Sequence, residues 1–152
     1  MKKLVIISAL AALIAGCGAA PGPKATVEKV INAFEAGDGK TIVECMSAAD
    51  LEEFNATVEE MKANPEETAM MMGFLGITVT ADEIGRLDTA GFMSLITGSE
   101  LFKSEFTGMT VGAERIEGEE AYVEVSMGGE TEEVMLVKER GRWVITGGFG
   151  VM

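Results

Sequence analysis

Few side chains in this chain are able to do chemistry. There is no His, which removes imidazole acid–base catalysis, His-activated nucleophiles and imidazole metal ligation together. The two thiols are Cys17 and Cys45, and the one phenol is Tyr122. Asp38, Asp50, Asp82 and Asp88 stand at expected turns and helix starts, where a carboxylate accepts free backbone N–H groups. Tyr122 has the opposite parity to Ala121, Val123 and Val125, so it faces out if they face in. No base and oxyanion donor assemble from this set, and the expectation is a domain without catalysis. Glu119, Glu120, Glu130, Glu132 and Glu133 crowd the hairpins. No Asp-x-Asp-x-Asp-Gly loop is present to wrap a calcium ion, so they are expected to form a solvated acidic surface, with no metal and no cofactor.

Sulfur is the other possibility. The chain carries 11 Met, three of them consecutive at Met70-Met71-Met72, and thioethers bind Cu(I). Consecutive helical residues point about 100° apart, so these three do not share one ion. With Phe74 and Leu75 they exceed what a one-sided surface helix needs; burial on several sides is expected, the alternative being a groove lining or a partner patch. Cys45 sits beside Ile42, Val43 and Met46, with no basic neighbour in sequence to lower its pKa. It is expected to be a buried, inert thiol.

Charge narrows the partners. With 152 residues the chain fits one domain, and 12 Lys+Arg against 25 Asp+Glu give a net charge of -13. Nucleic-acid binding relies on clustered cations to neutralise phosphates, so that class is excluded.

The N-terminus reads as an address. Lys2 and Lys3 precede an apolar run from Leu4 to Ala15, short of the about 20 residues that span a bilayer. The run ends in Ile14-Ala15-Gly16-Cys17, which resembles the bacterial lipobox. The resemblance implies cleavage before Cys17 and lipidation of its sulfur. Each buried CH₂ contributes about 0.8 kcal/mol, and two or three chains anchor firmly where one does not. Residues 1–16 are then a lipoprotein signal peptide, 17–23 the lipidated Cys and its tether, and 24–152 a single domain. Removing residues 1–16 deletes two Lys and no acid, leaving 10 cations against 25 anions, or -15. Such a domain is repelled by an anionic membrane surface, so the lipid on Cys17 and the tether make the membrane contact. The expected location is the cell envelope, on the periplasmic or extracellular face. Gly18 follows the Cys, which favours the outer membrane in a cell that has two. Cys45 is then left without a disulfide partner.

Two periods divide the domain. Val27, Val30, Ile31 and Phe34 mark one helical face, closed by Gly37-Asp38-Gly39. A short helix carries Ile42, Val43 and Met46. Ser47 or Asp50 caps a third, with Leu51, Phe54, Val58 and Met61. Asn64-Pro65-Glu66-Glu67 starts a fourth. Thr80-Ala81-Asp82-Glu83 is a capping box for a fifth. Asp88 caps a sixth through Phe92, Leu95 and Ile96, stopped by Gly98. From Met109 the period is two: strands over Met109–Glu117, Ala121–Met127, Glu132–Arg140 and Arg142–Gly148, joined at Gly118-Glu119, Gly128-Gly129 and Gly141. Short turns imply an antiparallel meander, and helices before strands imply an α+β fold.

Three blocks carry a family resemblance. The helix Thr26–Ala36 followed by Gly37-Asp38 is similar to the opening of nuclear-transport-factor-2-like domains. Gly118-Glu119-Glu120-Ala121-Tyr122-Val123-Glu124-Val125 resembles one of their strands. Leu136-Val137-Lys138-Glu139-Arg140-Gly141-Arg142-Trp143-Val144-Ile145 resembles their closing hairpin. The branch it looks like is the lumazine-binding-like lipoprotein family of unknown function. The resemblance implies N-terminal helices packed on a curved antiparallel sheet, cone-like, with an apolar cavity in many members. Fold alone does not set activity.

The expected function is therefore a membrane-anchored lipoprotein whose non-catalytic domain binds a small apolar ligand. The alternatives are a protein–protein interaction or assembly module, such as a homodimer, and then a small-molecule enzyme of the same fold. The large apolar residues for a pocket are Phe34, Phe54, Met71, Phe74, Phe92, Val125, Trp143 and Ile145, which serve equally as core. Anchoring is directly testable. Cys17→Ser is expected to move the protein from the detergent-rich to the aqueous phase in cloud-point partitioning. Retention in the detergent phase would rule out the lipid on Cys17.

Overall fold

Among the described residues, apolar positions at helical spacing, followed by residues alternating in twos, build seven helices and then four strands. The structure, a computed structural model, describes residues 20–147. Cys17 and residues 148–152 lie outside them. The helices are α1 (Pro23–Ala36), α2 (Gly39–Glu44), α3 (Ala48–Ala63), α4 (Pro65–Phe74), α5 (Ala81–Arg86), α6 (Thr89–Thr97) and α7 (Glu100–Phe106). The strands are β1 (Thr110–Glu117), β2 (Glu120–Met127), β3 (Glu130–Glu139) and β4 (Arg142–Ile145), in one antiparallel sheet of order β1-β2-β3-β4. The fold is α+β.

Local chemistry sets the helix ends. Pro23 opens α1, and Gly37 closes it at φ 67, a left-handed conformation that glycine adopts without penalty. Asp38 caps α2 by accepting from Thr41 N at 3.2 Å and from Thr41 Oγ1 at 2.6 Å. These bonds hold its carboxyl below the usual range. Ser47, not Asp50, caps α3, accepting from Asp50 N. Asn64 precedes Pro65 but makes no side-chain cap bond to α4. Thr80 and Glu83 form the reciprocal capping box of α5. Asp88 caps α6 through Gly91 N at 2.7 Å. Asp82 is no cap; it pairs with Arg86 one turn later.

Two apolar cores result. In the larger, Val27, Val30, Ile31 and Phe34 of α1 meet Ala121, Val123, Val125, Val134, Leu136 and Ile145 from one face of the sheet. Tyr122 lies on the other face, as its parity requires, with the Arg115 guanidinium 4.3 Å from its ring centroid. The register of β1 against β2 slips between Val111 and Glu114, so three steps on β1 span two on β2. Such a bulge bends and twists the strand. Lys24 fastens α1 there, its Nζ donating to Gly112 O at 3.0 Å and its backbone N to Glu114 at 2.9 Å. The smaller core joins Val58, Ile84 and Phe92, with Phe54, Met61 and Leu87 against it.

The α4 segment departs from expectation. Met72 is buried at 2% exposure, but Met70 is 62% and Phe74 85% exposed, with Met71 and Leu75 exposed beside them. Helix α4 meets only α3 and α5 closely, so one face has neighbours and the rest is solvated. Composition showed an excess of apolar residues, and their burial depended on a second layer that does not cover them.

One glycine locks the helical layer. Gly39 N donates to Ser94 Oγ at 2.9 Å. A Cβ on Gly39 would meet Ser94 N at 2.3 Å and Ala90 O at 2.4 Å, both backbone atoms. Gly39→Ala is expected to lower stability by about 1–3 kcal/mol or more through overpacking. Gly85, in α5 with open space around it, is the contrast: Gly85→Ala is expected to add about 0.5–1 kcal/mol. Urea melts of both variants check the pair, and a neutral Gly39→Ala would contradict the close α2–α6 approach.

Candidate functional site

An apolar cavity of about 290 Å³ lies at the seam between the two cores. Helix α1 supplies Val30 and Phe34, and the α2 region supplies Ile42, Cys45 and Met46. Phe54 of α3 completes the walls with Met93, Ile96 and Thr97 of α6, Phe102 and Phe106 of α7, and Ile145 of β4. Phe34 and Phe106 stack at 4.2 Å with rings 3° apart, and Phe102 lies 6.1 Å from Phe106. Thr97 satisfies its own hydroxyl through a 2.8 Å bond to Met93 O.

Among the described residues, Asp50 is the one carboxylate of the lining. It sits at the third position of α3, half-buried. Its Oδ2 accepts from Ser47 Oγ at 2.7 Å and from Gly147 N at 3.1 Å. Among the described residues, Oδ1 accepts no hydrogen bond. Asp50 and Phe54 also border a more open cleft of about 370 Å³, which adds Glu53, Thr57 and Gly147. The apolar cavity and this acidic cleft thus adjoin at the first turns of α3.

Cys45 separates the cavity from a smaller cleft of about 130 Å³ beside Lys29, Glu44, Arg142 and Trp143. Burial pushes its thiol up; Lys29 opposes this, Glu44 reinforces it and Arg142 opposes it more weakly. A thiol held protonated is a poor nucleophile and a poor metal ligand. Among the described residues, no three His, Cys, Asp or Glu side chains come together as a metal-binding group. No described helix is long and apolar enough to cross a membrane.

Of the pocket residues suggested by sequence, Phe34, Phe54 and Ile145 line the cavity. Val125 is spent in the larger core and Phe92 in the smaller. Met71 and Phe74 are on the outside of α4. Trp143 borders the small cleft, with the Lys138 ammonium 5.7 Å from its ring centroid. Sequence reasoning missed the α7 wall. Its signal was present: Ser99 as a cap, then Phe102 and Phe106 one turn apart. No family model, curated protein or solved structure matches this chain.

The Cys45 environment has a measurable consequence. In the folded protein, thiol reagents at neutral pH are expected to leave Cys45 unmodified, with reaction appearing only on unfolding. Its folded pKa lies above the ordinary value of 9.0, so the unfolded chain loses the proton first. The thiol's contribution to stability is therefore complete below that value and is lost as pH rises through the folded pKa. Rapid labelling of the native protein would contradict this.

Proposed function

We propose that this is the binding domain of a bacterial envelope lipoprotein, and that it holds a small apolar ligand without transforming it. The observation that carries the proposal is the cavity at the seam. Its volume sits at the lower end of ligand pockets, which begin near about 300 Å³. An engineered apolar cavity of about 150 Å³ holds one benzene, so this one suits roughly a dozen carbon atoms. Walls of Phe, Ile, Met and Val gain by taking up apolar surface. The absence of catalysis is supported by the groups that face the space. The Cys45 thiol is held protonated, and Asp50 already accepts two internal bonds.

The finer fold assignment, a nuclear-transport-factor-2-like cone of the lumazine-binding-like lipoprotein kind, belongs to the same proposal. An α1 helix across one face of a bulged four-strand meander supports it. So does the cavity's place between that helix and the end of β4. The lipobox-like Ile14-Ala15-Gly16-Cys17 supports the envelope location.

A second reading, an interaction module pairing two copies, has its own observation. Met70, Met71, Phe74 and Leu75 are all exposed around one end of α4, and clustered exposed apolar side chains mark interaction surfaces. Native mass spectrometry of the protein, purified gently from its own host, separates the readings. The ligand reading expects a discrete added mass that vanishes on denaturation and is lost in Ile96→Trp, which fills the cavity. A dimer peak that is lost in Phe74→Ser, with no added mass, would replace that reading with the second.

A further inference from the structure

We propose that the ligand is a cationic amphiphile, an apolar body seated in the cavity with an ammonium head held by Asp50 and Glu53. This rests on the apolar-ligand reading and adds the chemistry of the head group. At α3 the cavity adjoins an open polar cleft, while on the Cys45 side the smaller cleft with Lys29 and Arg142 lies behind that buried thiol. Asp50 and Phe54 border both the apolar space and the open cleft, so a molecule filling the first extends past them into the second. What waits there is all acceptor. Asp50 Oδ2 is occupied by Ser47 and Gly147, while Oδ1 is free among the described residues. Glu53 lies one helical turn on, where side chains at i and i+3 are neighbours. Thr57 Oγ1 donates its proton to Glu53 O at 3.1 Å, which leaves its lone pairs to receive a donor.

No cation among the described residues answers these carboxylates. Neither Asp50 nor Glu53 enters an ion pair among the described residues, and neither the cavity nor the cleft is lined by Lys or Arg. An anionic head brought to this exit meets two like charges beside a low-dielectric wall, which disfavours it. A neutral hydroxyl offers a single donor. An ammonium offers three donors and the opposite charge. The whole chain, at -13, adds a field that draws cations toward the surface.

The test uses three twelve-carbon probes below their micelle-forming concentrations: dodecylamine, dodecanol and dodecanoate. Each competes with a neutral naphthylamine dye whose fluorescence rises in apolar sites. The dye is expected to bind the wild type and not Ile96→Trp. Dodecylamine is expected to displace it at a concentration at least about ten-fold below dodecanoate, a difference of about 1.4 kcal/mol. That margin should shrink several-fold in Asp50→Asn, and also in Glu53→Gln, which leaves the Ser47 and Gly147 bonds intact. It should also shrink in the wild type as salt is raised. Dye binding with no preference among the heads, or with a preference that survives both substitutions, overturns the cationic head and leaves the apolar cavity standing. No binding of dye or probe to the wild type overturns both.

Discussion

Ile145 holds the layers of this domain together. Its N–H donates to Cys45 O at 2.7 Å, and its carbonyl accepts from Ser47 N at 2.7 Å. Through these two bonds Met46 pairs with the end of β4 as a short parallel bridge. The α2–α3 junction is thereby fixed to the sheet, and the outer edge of β4 is paired at its Ile145 end. The α2–α3 side of the cavity follows from that attachment. The Ile145 side chain belongs to the larger core. Ser47 becomes the cap of α3, and Asp50 is placed where Gly147 can reach it. Glu139 adds a carboxylate against Ala48 N at 3.2 Å, at the positive end of α3.

The cavity is a consequence of two cores that do not merge. Phe54 packs against the smaller core, and Met93 and Phe102 pack against the larger, yet all three also face the space between. Protein interiors ordinarily close such gaps, because wall atoms without neighbours lose dispersion contacts. Here closure is opposed from both sides. The Gly39–Ser94 contact already brings α2 and α6 as near as backbones allow. The stacked Phe34–Phe106 pair holds α7 against α1. Rigid supports that keep an apolar space open are what a binding site needs.

Charge acts at longer range. The net charge of -13 gives the chain a field that repels anions. It also makes the mouth formed by Asp50 and Glu53 hostile to anions. Among the described residues, Met70, Met71, Phe74 and Leu75 gather exposed apolar side chains at one end of α4, and α4 packs closely only on α3 and α5. Those two properties belong together: a helix held on one face only has other faces to offer.

Much of this was legible before any coordinates. The periods of 3.6 and 2 separated helices from strands, and Gly37, Gly98, Gly118 and Gly128-Gly129 marked the ends, because local backbone conformation is written in local residues. The capping box at Thr80 and Glu83 is wholly contained in four residues and was read correctly for that reason. Which large apolar side chains would line a space was not legible. Phe54 and Phe92 both stand on apolar faces of helical segments in the sequence, yet one faces the cavity and the other is fully enclosed. Met71 and Met72 are adjacent, yet the first is exposed and the second buried. Asp50 read as a helix cap, and it became the polar edge of a cavity only when Ile145 drew the start of α3 onto the sheet. Sequence determines what each segment can become, since turns, caps and periodicity are interactions among near neighbours. Tertiary structure alone decides which face of each segment finds a partner, because burial depends on residues distant in the chain.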